Sequence, residues 1–98
     1  MNLQEATEKV TKMAGNNQGK VNAVINFKFD EGVIHLHDTV NPSIVSNEDK
    51  EASCTLKMTL DNFEKLMYGD LNPMMAFMSG KMKIEGDKSV AMKLASLF

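Results

Sequence analysis

The chain has 98 residues, 43% hydrophobic and 24% charged, which excludes disordered and fibrous classes and fits one domain, residues 1–98, with a single core. Eleven basic residues against 13 acidic ones leave a formal charge of −2, mixed along the chain without a basic stripe, so no nucleic-acid partner is expected. The lone Cys54 rules out an intramolecular disulfide. Met1 to Glu5 is acidic with no apolar run behind it, and no stretch approaches the roughly 20 apolar residues of a membrane span. A signal peptide is therefore not expected, and a cytoplasmic location is the default.

In chain order, Leu3, Ala6, Val10, Met13 and Ala14 recur at helical spacing until Gly15 ends the pattern. After a turn over Asn16 to Lys20 the period changes to two. Val21, Ala23, Ile25, Phe27 and Phe29 share one face of a strand, with Asn22, Asn26 and Lys28 on the other. Asp30-Glu31-Gly32 turns the chain, and Val33 to Thr39 returns as the second arm of a hairpin with Ile34 and Leu36 inward. Pro42 precedes a short strand over Ser43 to Ser46, suited to a sheet edge.

Beyond the charged turn Ser46 to Glu51, Ala52, Cys54, Leu56, Met58 and Leu60 alternate with polar residues and predict another strand. Thr59 is placed to cap a helix from Leu60, with Asp61 in its first turn, an apolar stripe of Phe63, Leu66 and Met67, and Gly69 at its end. Asn72 and Pro73 then supply the cap and first position of a methionine-rich helix, which Gly80 stops. Lys81 to Glu85 alternates as a strand. Asp87 caps a last helix whose stripe is Val90, Ala91, Leu94, Leu97 and Phe98. Strands with one apolar and one polar face need helices on one side only, so the pattern predicts an α+β two-layer sandwich.

Nine methionines occur, seven of them between Met58 and Met92. Methionine is flexible and polarizable, so such a cluster fills a core or lines adaptable apolar space. No nucleophile, metal cage or phosphate loop accompanies it; an enzyme is not expected, nor is a cofactor. His35 and His37 share one strand face with Asp38 beside them, the start of a zinc site and the basis of an alternative reading as a small metal-dependent enzyme. Because Ile34 and Leu36 take the inward face, both histidines are expected in solvent, and no third His or Cys lies near. Cys54 falls in the apolar register as a buried, inert thiol. Asn47 to Glu51 lacks the glycine and terminal glutamate of a calcium loop. Lys81 and Lys83 lie on the polar face of their strand, solvated or meeting an anionic head group. Tyr68 and Asp70 flank a helix-ending turn without a nucleophile to serve.

From about Ala52 onward the chain resembles the sterol carrier protein 2 family. The matching residues are Ala52 to Thr59, Phe63-Glu64-Lys65-Leu66, the Gly69-Asp70-Leu71-Asn72-Pro73 turn, Ala76-Phe77, Gly80-Lys81-Met82-Lys83-Ile84, Gly86-Asp87 and Ala91-Met92-Lys93-Leu94. The N-terminal half matches in layout: helix, hairpin and an Asp30-x-Gly32 turn. The resemblance implies a five-stranded, mostly antiparallel sheet covered on one face by helices, with an apolar tunnel between the layers that holds fatty acids, acyl-CoA or sterol-like lipids. By position the tunnel would be lined by Phe63, Met67, Met74, Phe77, Met78 and Met82, by Met92 and Leu94 of the last helix, and by Phe27, Leu36, Leu56 and Met58 on the sheet. Independently of the resemblance, the terminal position of the last helix and the adaptability of Met92, beside Leu94 and Phe98, make it a candidate for a movable lid. Ser79 stands where many relatives carry Gln, and Ser96-Leu97-Phe98 is not a peroxisomal tripeptide. The implied partner is a hydrophobic small molecule, with transient membrane contact; an accessory protein presenting lipid intermediates to a partner enzyme is the alternative.

Overall fold

The apolar alternation along each strand fixes which face of the sheet turns inward. In the computed structural model, which describes residues 1–98, the elements are α1 (Leu3–Asn16), β1 (Val24–Phe29), β2 (Gly32–His37), β3 (Ile44–Ser46), β4 (Cys54–Met58), α2 (Leu60–Met67), α3 (Pro73–Met78), β5 (Met82–Gly86) and α4 (Lys88–Ala95). The sheet runs β3-β2-β1-β4-β5. Its pairs are antiparallel apart from β1 with β4, which is parallel. The α+β architecture is as the sequence predicts, and β3 takes the edge.

Register carries the apolar residues into one continuous face. Ile25 stands between Leu36 and Cys54, Phe27 between Ile34 and Leu56, and Met58 opposite Met82. The helices cover that face. Phe63 of α2 is the centre of the cover, with edge-to-face contacts to Phe27, Phe29 and Phe98 at centroid distances of 5.7, 5.4 and 6.4 Å. Side-chain caps fix the helix starts: Asn2 accepts from the Glu5 N–H at 2.8 Å, Thr59 from Asn62 at 3.1 Å, Asn72 from Met74 at 2.9 Å, and Asp87 from Ser89 at 2.9 Å. Between β5 and α4, Gly86 adopts φ +89°, and a Cβ there would collide with the Ser53 carbonyl that receives the Asp87 N–H.

Three departures from the sequence reading shape the architecture, beside smaller shifts such as β4 spanning only Cys54–Met58 and α4 ending at Ala95. Gly15 does not end α1, which continues to Asn16. The first strand begins at Val24 rather than Val21, because Asn22 takes φ +51° and turns the backbone. Asp38, set beside the histidines by the sequence reading, is instead the anchor of that turn. Its carboxylate accepts the N–H groups of Gly19 at 3.1 Å, Val21 at 3.0 Å and Asn22 at 3.1 Å, and the Ser43 hydroxyl. Third, the outer face of the sheet is not wholly open to water: the segment after β3 lies across it, and the Lys50 carbonyl accepts a hydrogen bond from Asn26 Nδ2 at 2.7 Å.

Burial pulls the Asp38 carboxyl upward, but the Ser43 hydroxyl and the N–H groups of Asn22, Gly19 and Val21 outweigh it and hold it below its ordinary value. Removing the carboxylate orphans several donors at once. Asp38→Ala should therefore cost about 3 kcal/mol in urea unfolding, whereas an exposed neighbour such as Thr39→Ala should change stability by less than about 0.5 kcal/mol.

Candidate functional site

Asn72 and Pro73 start α3, and Gly80, at φ +78°, ends it, so six residues from Pro73 to Met78 are all the helix there is. Ala76 is its one buried residue. The other apolar side chains of α3 therefore divide between a hollow beneath it and the solvent. Pro73, Met74 and Phe77 form one wall of that hollow, Met82 and Ile84 of β5 its floor, and Ala91, Met92 and Ala95 of α4 the opposite wall, with Lys88 at the rim. It encloses about 110 Å³. Sites that hold drug-sized ligands measure roughly 300–1,000 Å³, so in this conformation the pocket is narrow.

The sequence-derived lining residues separate into groups. Met74, Phe77, Met82 and Met92 meet at the pocket. Phe27, Leu36, Leu56, Phe63 and Leu94 are 0–1% exposed and belong to one packed core. Met58 borders a different hollow, Met67 lies beside α1 and the C-terminal residues, and Met78 is 76% exposed. Pro73, Ile84, Lys88, Ala91 and Ala95 complete the pocket without having been singled out as lining; the alternating pattern of β5 marks Ile84, and helical spacing from Ala91 and Met92 marks Ala95. The last helix buries Val90, Ala91 and Leu94, whereas α3 buries Ala76 alone.

The largest hollow, about 690 Å³, is polar and lies where the ends of β1 and β4 meet the start of β5; its walls include Lys28, Lys57, Lys81 and Lys83. Two of these lysines are already paired, Lys57 with Glu85 at 2.9 Å and Lys28 with Asp49 at 3.6 Å. Its polar walls and shallow form make it a solvated groove rather than a place to remove a lipid from water.

The two histidines do not share the solvated surroundings expected of them. His35 is 6% exposed, with Nδ1 2.6 Å from Asn26 Oδ1, while His37 is half-buried with Nε2 2.6 Å from the Thr39 hydroxyl. The cause is the segment carrying Lys50, which covers Asn26 and His35 on the outer face of the sheet. Asn26 commits its NH₂ to that carbonyl, so its oxygen faces the imidazole and Nδ1 carries the hydrogen. No three His, Cys, Asp or Glu side chains gather to hold a metal ion. Cys54 is fully buried, and burial first, then the Asp87 carboxylate, pushes its thiol above the ordinary value.

The model of the SCP-2 sterol transfer family matches residues 2–98. The chain belongs to that family. Sterol carrier protein 2 of Gallus gallus is 36% identical over 102 residues, covering 97% of this chain and 17% of that protein. The Homo sapiens sterol carrier protein 2 is 47% identical over 55 residues, 56% of this chain and 10% of that protein. The family member described here thus spans less than a fifth of the length of either relative. Among solved structures, the sterol carrier protein domain 2 of Helicoverpa armigera superposes with a TM-score of 0.76 at 25% identity, covering 99% of this chain and 89% of that one. The apo form of sterol carrier protein 2 from Yarrowia lipolytica gives a TM-score of 0.72 at 26% identity, over 90% and 75% of the respective chains.

Burial lowers the His35 pKa from its ordinary 6.5, helped by the Lys50 ammonium and by His37. The folded state then binds fewer protons than the unfolded chain just below that value, so stability rises with pH there and falls on acidification. The urea midpoint should drop between about pH 7 and pH 5. His35→Gln, though less stable at the outset, should lose much of that slope; equal slopes in the two proteins would refute the assignment.

Proposed function

We propose that this SCP-2 family member is a lipid carrier that holds a flexible acyl chain between α3, β5 and α4. The single observation that carries the reading is the apolar pocket under a helix anchored by one small residue, Ala76. Of its lining, Met74, Phe77 and Met92 are partly exposed, and Met82 and Ala91 belong to the core. The methionines Met74, Met82 and Met92 change rotamer at low cost, and α3 lies between glycines with positive φ at 69 and 80. A flexible chain can enter such a space as it opens. A rigid ring system needs the full volume already present, so the geometry favours acyl chains over the sterol of the family name. Lys88 at the rim supplies an ammonium group for an acidic end.

Burial provides the affinity. At about 0.8 kcal/mol per buried CH₂, a chain of about 14 methylenes gains on the order of 11 kcal/mol gross. Lost translational freedom and chain ordering take several kcal/mol of that, leaving dissociation constants near or below the micromolar range. One methylene more or less changes little, so selectivity among chain lengths is expected to be shallow.

Titrating delipidated protein with a fluorescent fatty acid should give saturable binding that an unlabelled fatty acid displaces. Phe77→Asp, which puts a carboxylate in the pocket wall, should weaken binding by at least about tenfold. The same change at exposed Tyr68 should leave it within about twofold. Absence of saturable binding, or equal binding by the Phe77 variant, would remove the carrier reading.

A further inference from the structure

The sheet is open, and its two edge strands differ. β3 is three residues long and follows Pro42, which blunts it against pairing. β5 is five residues long, contains no proline and is paired on one side only, with β4. The Asp87 N–H donates to the Ser53 carbonyl at 2.8 Å, so by the period of two Lys83 and Glu85 also turn their backbone groups toward β4. Those of Met82, Ile84 and Gly86 then face outward, and no turn, loop or cap hydrogen bond reaches them.

Charge marks the same strand. Lys28, Lys57 and Lys83 stand side by side across β1, β4 and β5 on the outer face of the sheet. Like charges so placed repel; Asp49 offsets Lys28, and Glu85 offsets Lys57. Lys83, at the open end of the row, has no such partner within its own chain. Glu85 meets Lys57 through Oε2, which leaves Oε1 to accept from a second donor.

We propose that β5 pairs antiparallel with β5 of a second copy of this chain, joining the two five-stranded sheets into one continuous sheet. With the twofold axis at Ile84, that residue exchanges both backbone hydrogen bonds with the partner's Ile84. Met82 then faces the partner's Gly86, which has no side chain to oppose it. On the outer face Lys83 lies opposite the partner's Glu85, and Glu85 opposite the partner's Lys83, in the pairs where side chains approach most closely. An axis at Lys83 or at Glu85 would instead set two like charges together at its centre, so the charges favour the register on Ile84. On the inner side Ile84 meets its copy, with the exposed Met74 and Met92 of the same hollow beside it. An unrelated extended peptide is the poorer occupant, because the reciprocal charge pairs come from the sequence of β5 itself.

The test is sedimentation equilibrium of the full chain over a concentration series, with amide hydrogen exchange at both ends of it. Mass should rise from one chain to two below about 1 mM. The Ile84 amide should exchange at least about tenfold more slowly in the dimer than in dilute protein, while the Glu85 amide, directed at β4, stays protected in both. K83E sets carboxylates against each other in both symmetry-related pairs and should weaken the dimer by about tenfold, and E85K should do the same with ammonium groups. The exchange K83E/E85K restores complementary charge and should return the dissociation constant to within about threefold of the parent. Circular dichroism should be unchanged in all three variants, since both side chains are exposed. A chain that stays monomeric to about 1 mM, whether or not an added strand-forming peptide then protects Ile84, would overturn the proposal. So would a dimer whose Ile84 amide exchanges as in the monomer, or a double exchange no tighter than the single variants.

Discussion

Phe63 divides the molecule into a rigid half and an adaptable one. Its ring stands edge-on to Phe27 and Phe29 of the sheet and to Phe98 at the far end of the chain, and it is fully buried. The core it belongs to is packed: Ile25, Ile34, Leu36, Leu56, Leu66 and Leu94 are each 0–1% exposed. Interiors at this density respond to volume changes with strain rather than flow, so this half cannot open for a ligand without losing stability.

The other half has no aromatic plug. Over β5 the cover is α3, a helix too short to be stable by itself and attached through Ala76. Where the first half is filled by buried branched and aromatic side chains, this one sets Met74, Met82 and Met92, with Ile84 and the partly exposed Phe77, around a small hollow. Local opening is cheapest where little apolar area is buried and few hydrogen bonds cross to neighbours. The same feature that weakens α3 as a structural element thus gives the protein a region that can change volume while Phe63 keeps the sheet and α2 together.

The polar interior follows a different logic. Asp38 and the Asn26–His35 pair are buried polar groups, yet each has its partners supplied by a loop: Asp38 by the 19–22 turn and Ser43, Asn26 by the Lys50 carbonyl. Every buried side-chain nitrogen and oxygen finds a partner. These groups fix the paths of the two longest non-helical connections on the sheet, which explains why residues beside two histidines contribute to architecture rather than to a metal site.

The sequence by itself determined the elements, because the rules that set them are local. Period-two alternation marked the strands, Thr59, Asn72 and Asp87 named the starts of three helices, and Pro42 put β3 at an edge. Residues from Ala52 onward also carried enough of the family pattern to name it. Tertiary structure alone decided what depends on contacts between distant segments: that Lys50 would cover His35, that Asp38 would hold Asn22 in a positive-φ turn, and that Phe63 would meet Phe98. It also separated Met82 in the pocket from Met78 in water, four residues earlier, since a stripe of methionines reads the same whether it fills a core, lines a hollow or faces solvent. Which of these it does is set by the size of the helix laid over the sheet, and for α3 that helix ends too soon to cover its own apolar side chains.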